Sequence, residues 1–155
     1  MSDQNDVLCH LINVCENTKY SYESAARKTT NPFIETVFNN MAYIRSNIII
    51  DLSEFLKANG GNPENRKISD KNRESLFDEL DINSASNPEK ILVTCLEETE
   101  DRALKEFDKA LSENIPLHTK AVLAQKLGTL NETHDYMKAL KTRFQEDSKK
   151  NSSSV

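Results

Sequence analysis

Glycine and proline are scarce in this chain, at three and four among 155 residues. Sheet-rich and loop-rich proteins need such residues at every turn, so the scarcity argues for a few long helices. Long apolar runs are missing as well. Runs such as Ile48-Ile49-Ile50 are far short of the about 20 residues a spanning helix requires. No Lys/Arg cluster marks one helical face and the formal net charge is -5, which argues against nucleic acid as a partner. The N-terminal Met1-Ser2-Asp3-Gln4-Asn5-Asp6 is acidic and polar, unlike a signal peptide. The cytoplasm is therefore the default location, with signal-independent secretion as the alternative. Cys9, Cys15 and Cys95 form no Cys-x-x-Cys pair and no even disulfide framework. Cys15 and Cys95 fall on apolar stripes and read as small core residues. Asn59-Gly60-Gly61-Asn62 ends a helix instead of opening one, which excludes a phosphate loop. No Ser or Cys stands beside a His in a nucleophile setting.

What remains is helical periodicity. A first helix is expected over residues 6–28, with Leu8, Leu11, Ile12, Cys15, Tyr22 and Ala26 inward. Asn31-Pro32 supplies an N-cap and a first-turn proline for a second helix. Its expected stripe is Phe33, Val37, Met41, Ile44, Ile48, Leu52 and Phe55, and Gly60 can provide its left-handed cap. A third helix over 88–111 carries Leu92, Leu96, Thr99, Ala103, Phe107 and Ala110. A fourth follows the hinge 112–116 and runs to about residue 145. Its expected stripe is Leu123, Leu127, Leu130, His134, Met137, Leu140 and Phe144. The expected domain is 1–146, with 147–155 a disordered tail. Between Gly60 and Asn87 lies a polar crossover with a short helix near 70–80, long enough to travel the length of a bundle. The expected fold is an all-α four-helix bundle. One long crossover between helices two and three makes those two parallel, the ferritin-like connectivity.

A di-iron site in such a bundle takes a Glu from two helices and Glu-x-x-His from the other two. Glu-x-x-His occurs nowhere here. Instead Arg45 lies inside the apolar arc of the second helix, Glu100 inside that of the third and His134 on the stripe of the fourth. A buried carboxylate must find a cation or donors, and guanidinium suits it. The expected buried polar cluster is therefore Arg45, Glu100 and His134, with no cofactor. The alternative is an iron or manganese site on Glu23, Glu97, Glu100 and His134. His10 and His118 read as surface residues. No catalytic residue is assigned.

Several motifs between about Leu8 and Lys141 carry a resemblance. They are Leu11-Ile12-x-x-Cys15, Tyr22-Glu23-x-Ala25-Ala26, Arg45, Gly60-Gly61-Asn62-Pro63, Glu97-x-x-Glu100-Asp101 with Ala110-Leu111, and His134-Asp135. Together they resemble a mainly proteobacterial family of uncharacterised four-helix-bundle proteins related to the ferritin-like superfamily. The chain departs from that pattern at Asn17-Thr18, where Asp-Gly is usual, and in its Asn-rich crossover. The resemblance implies a ferritin relative without the full ligand set, and it implies no activity. The leading expectation is a non-enzymatic bacterial bundle acting through an unidentified protein partner or a homodimer. The alternatives are the metal-binding protein and a secreted factor acting on a partner protein.

Overall fold

The computed structural model describes residues 3–63 and 87–153. These residues form four helices and no strand: α1 (Gln4–Lys28), α2 (Pro32–Ala58), α3 (Pro88–Leu111) and α4 (Leu117–Ser153). The short helix expected near 70–80 lies outside the described residues.

Side chains set the helix starts. Asp3 Oδ1 accepts from the Asn5 backbone N–H at 2.9 Å. Asn31 Oδ1 accepts from Phe33 and Ile34 N–H, and Pro32 needs no hydrogen bond at the first position. Asn87 repeats the device ahead of Pro88, accepting from Lys90 N–H at 3.2 Å. The end of α2 is a Schellman turn. Gly60 has φ +80, its N–H reaches Lys57 O at 3.0 Å, and Gly61 N–H reaches Leu56 O at 2.9 Å. Leu56 then folds against Gly61 so closely that a Cβ there would collide with it.

Contacts between helices fix their directions. At one end Gln4 bonds both Asn59 and Thr119, so the starts of α1 and α4 meet the end of α2. At the other end Thr29 bonds Glu89, joining the end of α1 to the start of α3. Further along, His10 pairs with Glu106 and Asp51 with Lys126. Thus α1 runs antiparallel to α2 and α3, and α4 antiparallel to α2, which leaves α2 and α3 parallel. The end of α2 and the start of α3 therefore lie at opposite ends of the bundle.

The apolar core falls into two clusters. One gathers Tyr22, Ile34, Phe38, Met41, Leu92, Leu96, Met137 and Leu140. The other gathers Leu8, Leu11, Cys15, Ile48, Leu52, Phe107, Leu123 and Leu130. Two of the expected stripes turn about their axes. On α2, Phe33 faces outward, while Ile34, Phe38, Ala42 and Leu56 are buried. The seam is centred on Met41 and Arg45, so residues a third of a turn away swing to its edge. On α4 the buried positions are Thr119, Leu123, Leu130, Thr133, Met137 and Leu140, and Leu127 is only partly covered. Helix α4 also continues past residue 145 through Ser153, where sequence composition pointed to an unstructured tail.

Candidate functional site

All four helices contribute a polar side chain at mid-height. Arg45 projects from α2 into the apolar arc and its Nη2 pairs with Glu100 Oε1 from α3. Each side chain is 1% exposed. From α1, Tyr22 donates its O–H to the same Glu100 oxygen at 2.5 Å, and its ring lies 5.1 Å from the guanidinium carbon. From α4, Thr133 Oγ1 accepts from Arg45 Nη2 at 2.9 Å and sits 3.4 Å from Glu100 Oε1. Arg45 Nη1 reaches the Met41 carbonyl at 3.4 Å. The pairing is one-pronged: Arg45 Nε and Glu100 Oε2 have no hydrogen-bond partner among the described residues.

Burial dominates the electrostatics. It raises the Glu100 carboxyl above its ordinary value, opposed by Arg45 first, then Tyr22, His134 and Thr133. It holds the Tyr22 phenol well above its ordinary value, and the Glu100 charge adds to that. The Cys15 thiol is pushed up to about 12 by burial, against a smaller opposing pull from Arg45. A thiol so held is a core residue and not a nucleophile. Cys95 is only partly covered, and burial raises it as well.

The expected cluster of Arg45, Glu100 and His134 is thus arranged differently around its third member. His134 stands at the margin, 17% exposed, with Nε2 2.5 Å from Asp101 Oδ1. Thr133 takes the interior position on α4. Spacing alone allows either residue between Leu130 and Met137; which one faces the core depends on how the helix is rotated. Glu97 is mostly covered and binds Lys141 Nζ at 2.6 Å. That hydrogen bond, more than any other influence, raises the Lys141 ammonium above its ordinary value. Glu23 is half-buried on α1. Among the described residues, the group whose ligand atoms come together is Glu97, Asp101 and His134, all within 4.8 Å of one another. It includes neither Glu23 nor Glu100, and it includes Asp101, which the sequence reading passed over. A carboxylate-bridged di-iron centre does not fit these residues, because a guanidinium occupies the inner face of Glu100.

Two contributors were legible as residue types but not as roles. Tyr22 lies on the α1 stripe, and a buried phenol normally finds an acceptor. Asp101 is four residues after Glu97, on the same helix face.

Fold and site together define an all-α four-helix bundle built round a buried Arg–Glu pair. The chain belongs to the family described as Domain of unknown function (DUF2383), whose family model matches residues 3–113. The match covers α1 to α3 and stops before α4. A search of curated proteins returned no match. No described helix is long and apolar enough to cross a membrane.

Proposed function

We propose that this bundle catalyses no reaction and acts as an association module, pairing with a second copy of itself through the groove between α2 and α4. The observation that carries the reading is an apolar groove open to solvent. Phe33, 57% exposed, lines a cavity of about 340 Å³ with Asn31, Ile34, Leu140, Arg143 and Phe144, and Tyr136, 46% exposed, lines a smaller depression that shares Phe33, Leu140 and Arg143 with it. Exposed aromatic groups around such a depression are the usual anchors of an interface. Arg143 stands exposed on the α4 wall. A twofold arrangement sets the groove of each copy against that of the other.

The interior supports the non-catalytic half of the reading. Glu100 and Tyr22 are shut away from solvent and already bonded, so no substrate reaches them. The single long crossover and the central Glu100 support kinship with ferritin-like bundles, with Arg45 in place of a metal.

The test is sedimentation equilibrium of the full chain from micromolar to hundreds of micromolar. A concentration-dependent dimer is expected, weakened by Phe33→Ser, Tyr136→Ser and Arg143→Glu. A monomer at every concentration, or a dimer indifferent to all three changes, overturns the proposal.

A further inference from the structure

We infer that Glu97, Asp101 and His134 form a binding site for a single divalent transition-metal ion of the zinc class, open to solvent on the Asp101 side. The site is separate from the groove and does not depend on it. Glu97 and Asp101 stand one helical turn apart on α3, and His134 reaches them from α4. Two ligand atoms on one zinc ion are at most about 4.4 Å apart, given bonds of about 2.0–2.2 Å. The three ligand atoms all lie within 4.8 Å of one another, so side-chain rotation is enough to bring them inside that limit. One imidazole and two carboxylates suit zinc, and they leave a fourth position for water.

A further observation points to a cation here. His134 Nε2 is buried and lies 2.5 Å from Asp101 Oδ1, with no in-line hydrogen bond. Two lone-pair-bearing atoms approach this closely only when a cation is shared between them.

Lys141 already holds one of the three ligands. Its ammonium holds Glu97 Oε2 at 2.6 Å. An ion that takes Glu97 must displace it, so Lys141 acts as a built-in competitor. Asp101 separates the site from the set Glu23, Glu97, Glu100 and His134, which lacks it.

Isothermal titration of the full chain with zinc chloride tests the inference, with Co²⁺ absorption as a second readout. One ion per chain is expected, with no thiolate-to-cobalt charge transfer. Asp101→Asn and His134→Ala should each weaken binding by at least about tenfold, the scale of losing a site's supporting groups. Lys141→Gln should tighten it several-fold. All three residues lie at the margin of the bundle, and far-ultraviolet circular dichroism checks that the variants fold. Absence of zinc binding, binding unchanged in both Asp101→Asn and His134→Ala, or a cobalt–thiolate band would overturn the site.

Discussion

Removing either partner of the Arg45–Glu100 pair should destabilise the bundle, but unequally and with different pH dependence. In Arg45→Met the carboxylate keeps only the Tyr22 and Thr133 hydroxyls. It can remain ionised in the core, at several kcal/mol, or it can take a proton. Protonation at pH 7 sets a ceiling: from the ordinary value of 4.5 it is two and a half pH units, at about 1.36 kcal/mol each, or about 3.4 kcal/mol. Burial already raises this carboxyl in the parent chain, so part of that ceiling is taken up before the substitution. The expected loss relative to the parent is about 2–3 kcal/mol at pH 7. The sign follows from proton binding. With Arg45 gone, the folded carboxyl titrates further above the unfolded one, so the folded state holds the extra proton and stability falls as pH rises above 4.5. At pH 5 the ceiling is only about 0.7 kcal/mol, and Arg45→Met should be nearly silent.

Glu100→Gln has no such escape. Guanidinium does not lose its proton in proteins, so the stranded Arg45 should cost about 3–5 kcal/mol at either pH. The double variant leaves an amide facing Tyr22 and an apolar side chain beside it, and should cost about 1–2 kcal/mol. The coupling at pH 7 is then at least about 2 kcal/mol. Urea denaturation followed by circular dichroism, at pH 5 and pH 7, measures all of these. Coupling within about 0.5 kcal/mol would refute the reasoning, as would an Arg45→Met loss equal at both pH values.

Other expectations follow from packing and backbone. Leu123→Ala should cost about 2–5 kcal/mol and Leu127→Ala clearly less, because Leu123 is fully buried and Leu127 only partly; the two midpoints in urea check the order. Gly60→Ala should cost about 1 kcal/mol for its positive φ. Gly61→Ala should also destabilise, through collision with Leu56; thermal melts of both variants test this. Cys15 should resist maleimide at pH 8 until the chain is unfolded, since it is 2% exposed and its thiol is held near 12. The same shift makes the folded state bind more protons than the unfolded state between pH 9 and 12, so stability should fall across that window. Cys15→Ala should flatten that slope, as read from urea midpoints at pH 8, 9 and 10.

Helix ends and fold were legible in the sequence because they depend on local chemistry. Asn31-Pro32, Asn87-Pro88 and Gly60-Gly61 each mark a boundary with a hydrogen bond or a φ that few other residues supply. Arg45 and Glu100 stood out because a charge inside an apolar arc needs a partner, whatever that partner is. The rotation of each helix about its axis was not legible. Period counting places an arc to within about a third of a turn, since successive side chains are about 100° apart. That margin separates Phe33 from Ile34 and His134 from Thr133. It also hid the meeting of Asp101 with His134, which requires the relative heights of α3 and α4.

The mid-height polar layer divides the core as well as pinning it. The cluster around Phe38, Leu92 and Met137 lies on one side, and that around Leu11, Leu52 and Phe107 on the other. Ile44 packs against both. Sliding any helix by one turn, about 5.4 Å, would pull its group out of the layer, so the four heights lock one another. Between these locks each end of the bundle is its own small domain of exchange. Backbone amides near Leu11 and Leu123 are expected to exchange independently of those near Phe38 and Met137, which native-state hydrogen exchange checks. The layer works as a bulkhead: an end that floods need not sink the other.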